Sequence, residues 1–250
     1  SMVGQFFSAV TPGASGGQPM QVYVMANQGV DSGSSTSSLI QKFLVYQTVL
    51  TAYSAIAILF RMDYFNSLNK VVWSLAVFGF ASQAVVILTL ILVSFCPRIT
   101  KKLVMIIVVL LAKIPFLKKL KERVEEIESQ IDIFHDSNRE FYKNKSLVLE
   151  SYVVTIVQLT SMFLIPYCIY RSLALKGESV FALICSQAFI SMSTSFFPIP
   201  GASGAAEGAS SVFFDPFFTS TTIKPAILMT RIISYYFTVL ISLPFSYISK

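Results

Sequence analysis

Charge is scarce in this chain: 13% of its 250 residues are Asp, Glu, Lys or Arg, while 54% are hydrophobic. A soluble domain carries roughly 25% charged residues, so a water-soluble globular domain is excluded. The mean hydropathy of +0.67 places the chain among integral membrane proteins. Histidine occurs once, and cysteine three times, as Cys96, Cys168 and Cys185. The cysteines lie in or at the ends of apolar segments and lack metal-ligand spacing, so they read as small buried hydrophobes without disulfides. No HExxH, P-loop or dinucleotide fingerprint occurs. Gly13-Ala14-Ser15-Gly16-Gly17 fits the letters G-x-S-x-G, yet no histidine or carboxylate is placed to serve Ser15. No strand–turn–helix context surrounds it either. Neither enzymatic activity nor a cofactor or metal is expected. A basic-apolar-small cleavage signature is also missing, and Ser1-Met2-Val3-Gly4-Gln5-Phe6-Phe7 reads as a chain beginning inside a fold.

What the chain does have is one phrase written twice. Pro12-Gly13-Ala14-Ser15-Gly16 recurs as Pro200-Gly201-Ala202-Ser203-Gly204. Each copy follows an apolar segment (3–10 and 180–197) and precedes a stretch of small residues. Proline removes an N–H and glycine admits backbone angles that other residues avoid, so each copy breaks a helix. Within a bilayer such a break survives only where protein or a water-filled cavity satisfies the freed backbone groups. Paired breaks in two halves of a chain point to a transporter's binding site. Two ordinary loops are the alternative.

Taken in order, residues 3–28 form a first broken hairpin, too short on either side to span. A polar turn over 29–38 caps a first span at 37–60, and a second span covers 71–95. Residues 103–112 read as interfacial or re-entrant. Leu117, Leu120, Val124, Ile127, Ile131 and Phe134 share one narrow helical face. That face packs on neighbouring helices or the membrane surface, or else pairs with a second copy. His135 on this helix reads as solvated. A third span at 146–170 is kinked at Pro166, a second broken hairpin covers 180–214, and a last span runs over 222–248.

The region Arg98–Lys145 holds eleven Lys and Arg, which places it in the cytoplasm and explains the net charge of +6 by anionic headgroups rather than nucleic acid. Three full spans then separate the two hairpins. An odd number reverses direction, so the hairpins form an inverted repeat. The expected architecture is an all-α polytopic helix bundle, a single transmembrane domain over 1–250, multi-pass in the plasma membrane.

Two ionisable residues fall inside apolar segments. Glu207 follows the second break among Gly201, Gly204, Ala205, Gly208 and Ala209, and Arg231 lies ten residues into the last span. Such groups are costly in lipid and face a cavity or a partner. They line a polar cleft in which Arg231 engages a lipid phosphate, or they form a structural ion pair. In the first hairpin, helix N-terminal N–H groups near Ser15 to Gln18 could hold a phosphate without a charged side chain. Candidate binding residues are thus Pro12, Gly13, Ser15, Gly16, Gly17, Gln18, Pro200, Gly201, Ser203, Gly204, Glu207 and Arg231.

At these residues the chain resembles the lysylphosphatidylglycerol synthase transmembrane family of flippase-like membrane proteins. Pro198-Ile199-Pro200-Gly201-Ala202-Ser203-Gly204-Ala205-Ala206-Glu207 resembles the family's proline-glycine signature ending in glutamate, and Arg231 resembles the arginine of its following helix. Phe6-Phe7 through Pro12-Gly13 and Gly16-Gly17 resembles its first motif. The resemblance implies a bundle that moves a polar-headgroup phospholipid, aminoacylated or not, between leaflets. Where the family often has an arginine after the first glycines, this chain has Gln18 and Gln21. The helices usually found before the first motif and the soluble aminoacyl-transfer domain are missing from this sequence, which suggests a short variant or a fragment, and lipid synthesis is not expected. The competing readings are a non-transporting scaffold or lipid-presenting subunit for a separate lipid synthase, and a small-solute carrier. A homo-oligomer is a further possibility.

Overall fold

The computed structural model describes residues 2–60, 70–112, 123–195 and 199–247. Among these every regular element is helical, as the apolar runs and the lack of strand alternation lead one to expect. The order is α1 (Met2–Val10), a tight 3₁₀ turn (Pro12–Ala14), α2 (Gly17–Asn27), α3 (Ser32–Phe60), α4 (Lys70–Phe95), α5 (Pro97–Leu111) and α6 (Val124–Lys143). Then come α7 (Lys145–Phe163), α8 (Ile165–Ser172), α9 (Val180–Thr194), a second 3₁₀ turn (Pro200–Ala202) and α10 (Ala205–Phe214). Last are α11 (Ile223–Arg231), a π-helical turn (Ile232–Tyr236) and α12 (Phe237–Tyr247). Among the described residues, four stretches are long and apolar enough to cross a membrane: Ser32–Leu59, Val77–Phe95, Lys145–Ser172 and Ile223–Ser246.

The chain divides into two compact units. One comprises Ser1–Gln21, Gln47–Gln83 and Val153–Lys250. Its core is aromatic, with Phe163, Phe189 and Phe214 fully buried. Phe189 packs its ring on Phe213 at 5.5 Å. At its centre α9 is buried over most of its circumference, through Leu183, Cys185, Phe189 and Met192 among others, while one stripe of Ile184, Gln187 and Ser191 is only partly buried. With 15 residues, α9 is about 22 Å long, short of the roughly 30 Å hydrocarbon core. A helix that ends inside the bilayer must be enclosed by protein, and most of the α9 surface is. The break between α7 and α8 falls at Leu164, two residues before Pro166, whose ring denies the helix an N–H.

The other unit comprises Val22–Tyr46 and Ala84–Tyr152. Here the polar turn expected over 29–38 is largely helix, since α3 begins at Ser32. Serines are poor helix formers in isolation, but these are held by packing. The Gly33 N–H donates to Gln130 Oε1 of α6 at 2.7 Å, and Ser34 and Ser137 share a hydroxyl bond of 2.9 Å. A Cβ on Gly33 would overlap the Gln130 carbonyl, so glycine is what lets the two helices meet. Further along, Gln41 bonds the Asn138 side chain, Asn138 Nδ2 donates to the Ser94 carbonyl at 2.6 Å, and Tyr142 donates to Gln41 Oε1 at 2.6 Å. This buried polar network ties α3, α4 and α6 together. The amphipathic face of α6 turns inward at Ile131 and Phe134; Leu117 and Leu120 lie outside the described residues. At 15 residues, α5 is shorter than a span, and Lys101 fastens it to Asp132 of α6 at 2.9 Å.

His135 is not simply solvated. Its ring packs edge-on to Phe134, and burial pushes its pKa below 6.5 despite a bond to the Ser94 backbone. As the pH falls the unfolded chain takes up the proton first, so this unit loses stability below pH 6.5 towards the folded midpoint. Being the only histidine, it gives one ring resonance. We expect its NMR titration midpoint below 6.5; a midpoint above that value contradicts the burial argument.

Candidate functional site

The two copies of the repeated phrase fold alike. Gly13 and Gly201 adopt φ/ψ of 59°/24° and 60°/17°, and the alanines after them are also left-handed, at φ 56° for Ala14 and 49° for Ala202. In both, the alanine N–H returns to the carbonyl of the residue before the proline, and the serine N–H to the proline carbonyl. A left-handed alanine costs about 1–2 kcal/mol, and paired strain of this kind tends to sit at working sites. The turns also meet, in the same unit: Pro12–Ala14 packs against Pro200–Ala202, and α1 packs against both the second turn and α12.

The copies part at their serines, Ser15 being right-handed helical and Ser203 extended, at ψ −25° and 136°. The next N–H then finds a different acceptor in each. Gly16 N–H donates to the Thr11 hydroxyl at 2.9 Å, whereas Gly204 N–H donates to the Glu207 carboxylate at 2.6 Å. Glu207 therefore caps α10 from inside the helix, and its charge also complements the positive N-terminal end. Gly17 abuts α1 so closely that a Cβ would overlap Ser8, and one on Gly4 would overlap Gln21. The first hairpin is thus zipped by glycines. Ser15 and Gln18 are exposed and make no side-chain hydrogen bond among the described residues, and Ser203 bonds only the Pro200 carbonyl.

Arg231 completes the site. Its Nε donates to Glu207 Oε1 at 2.8 Å and its Nη2 to the Gly201 carbonyl at 2.8 Å. Its guanidinium carbon lies 4.8 Å over the Tyr235 ring, a cation–π contact. The Tyr235 hydroxyl in turn donates to the Ala9 carbonyl at the end of α1, at 2.9 Å. A Cβ on Gly201 would collide with the Tyr235 ring, so that glycine is required by space as well as by angle. One chain of contacts therefore runs from the first hairpin through Tyr235 and Arg231 to the second turn and Glu207. The π-helical turn starts immediately after Arg231; such turns are frequent at functional sites.

The Arg231 side chain is 13% exposed and that of Glu207 40% exposed. A charge within an apolar span is tolerable when paired, and here the pair is neutral overall while one carboxylate face is open. A guanidinium has five N–H donors, of which Arg231 uses two in these bonds. Donors are left to meet an anionic oxygen. The structure thus brings Gly201, Gly204, Glu207 and Arg231 together and sets Pro12, Gly13 and Pro200 beside them. Tyr235 was not anticipated. Its signal was its place four residues after Arg231, which puts both on one helical face.

These features define a polytopic helical membrane protein in which two broken helices meet beside an ion pair. The chain belongs to the family described as lysylphosphatidylglycerol synthase TM region, whose sequence model matches residues 1–242. Searches of curated proteins and of solved structures returned no match. The family and the apolar helices make this a multi-pass membrane protein connected with lipid.

Proposed function

We propose that the chain is a flippase-like transporter that moves a polar-headgroup phospholipid between leaflets through the paired turns. The observation that carries this reading is the Glu207–Arg231 pair, set where two helix breaks of the same five-residue sequence meet. The spare donors of Arg231 suit a lipid phosphate, and the open face of Glu207 suits an ammonium or hydroxyl of the headgroup. Between the hairpins, the described residues hold three stretches long enough to cross, Ser32–Leu59, Val77–Phe95 and Lys145–Ser172. An odd number supports hairpins that enter from opposite sides and meet at their tips, the arrangement alternating access needs. The basic stretch 98–145 then faces the cytoplasm of a plasma-membrane protein. No bond in the lipid is made or broken in this scheme.

The reading is tested with purified protein in liposomes carrying a headgroup-labelled phospholipid. An impermeant quencher reaches only the outer leaflet, so lipid movement is read as loss of the protected inner half. Protein-containing liposomes are expected to lose that protection at least tenfold faster than empty ones. Equal rates with every headgroup tried would remove transport from the account.

A further inference from the structure

The unit made of Val22–Tyr46 and Ala84–Tyr152 holds a separate cavity, of about 470 Å³, where the end of α4 faces α6. That volume lies in the range of small-ligand pockets, roughly 300–1,000 Å³. Arg139 and Lys143, one turn apart on α6, both line it, and neither has a hydrogen-bond or ion-pair partner among the described residues. His135 lines it too. Its ring bonds the Ser94 backbone, and its Nε2 is closed to solvent. Asp136, exposed, adds an acceptor to the lining.

Position names the class of occupant. The cavity lies where the apolar stretch Val77–Phe95 ends, and Arg98, Lys101 and Lys102 follow at once. Basic residues just past a span sit at headgroup level. Phe95, 53% exposed, lines the cavity and packs its ring on Tyr142 at 4.8 Å, which gives an acyl chain an apolar exit beside the polar floor.

We propose that this cavity is a second lipid site that seats the headgroup of an anionic glycerophospholipid. Its phosphate lies between Arg139 and Lys143, a headgroup hydroxyl donates to the Asp136 carboxylate, and the acyl chains leave past Phe95. The site uses none of the residues around Glu207 and stands whether or not lipid is transported there.

The full chain in detergent, with its single histidine isotopically labelled, provides a reporter inside the cavity. Titration with short-chain phosphatidylglycerol is expected to shift the His135 ring resonance saturably. Arg139→Gln with Lys143→Gln should weaken the apparent Kd at least tenfold; both residues are exposed, so the fold is retained and an unchanged helical circular dichroism spectrum verifies this. Short-chain phosphatidylcholine, with the same phosphate and no hydroxyl donor, should bind at least tenfold more weakly. Glycerol phosphate separates the sources: saturation only by the acylated ligand assigns a membrane lipid, and equal saturation by both assigns the same phosphate chemistry to a soluble ligand. No saturable shift with either, or an unchanged Kd in the double variant, overturns the proposal.

Discussion

Replacing Gly201 with alanine is expected to destabilise the protein by about 2–5 kcal/mol, the sum of left-handed strain and overpacking. Gly201 sits at φ 60°, and an added Cβ would run into the ring of Tyr235. That ring is fixed on its far side, because its hydroxyl is held by the Ala9 carbonyl at the end of α1. It cannot retreat without releasing either that bond or the stacked Arg231. Gly204 supplies the control within the same motif. Its φ is 83°, but nothing lies within 4 Å of where a Cβ would go. Gly204→Ala, at φ 83° and ψ −49°, should therefore carry the backbone strain alone, about 1–3 kcal/mol. Thermal unfolding in detergent should rank the variants Gly201→Ala below Gly204→Ala, with the latter below the parent. Equal losses would mean that the second turn does not lean on Tyr235.

Arg231→Leu is expected to slow lipid movement at least tenfold and to cost about 1–3 kcal/mol of stability, the range for stranding a hydrogen-bonded polar group. The substitution keeps an apolar side chain of helical preference in the last span, so the loss comes from what Arg231 holds. The Gly201 carbonyl and one oxygen of Glu207 both lose their donor. The stability cost stays below that of a fully buried pair because the Glu207 side chain is 40% exposed and water or headgroups reach it. Arg231→Lys restores the charge but has one nitrogen in place of a planar fork. It cannot reach Gly201 and Glu207 together as arginine does, so it should recover stability more fully than lipid movement. If Arg231→Lys restored both equally, the guanidinium would have only a structural part.

Much of this arrangement could be read from residue order. The second hairpin and its half-helix Ala205–Phe214 follow from proline and glycine placement, and the apolar stretches place the spans within a few residues. The pairing of Glu207 with Arg231 is legible because two charges inside lipid-facing segments need partners. Other features depend on contacts that order alone does not reveal. The serine-rich start of α3 is helical because Gln130 and Ser137 of α6, about a hundred residues away, bond it. The two five-residue copies look interchangeable, yet they diverge after the alanine because Thr11 lies behind the first and Glu207 ahead of the second. The π-helical turn over Ile-Ile-Ser-Tyr-Tyr carries no local signature. Its consequence, Tyr235 under Arg231 and against α1, emerges only once the two hairpins are packed. His135 illustrates the same limit: charged neighbours in sequence suggest water, but Phe134 and the Ser94 backbone enclose one side of its ring.

The central claim is that the two repeated turns and the charge pair between them handle lipid as one site. Leaflet movement in liposomes, compared between the parent and Glu207→Gln, tests it most directly. Glutamine is nearly isosteric and can still cap the Gly204 N–H, so the fold should persist, while the charge-assisted bond to Arg231 is lost. The account predicts a rate reduced at least tenfold with an unchanged circular dichroism spectrum. Full-speed movement in Glu207→Gln would contradict it and leave the ion pair as a brace between helices.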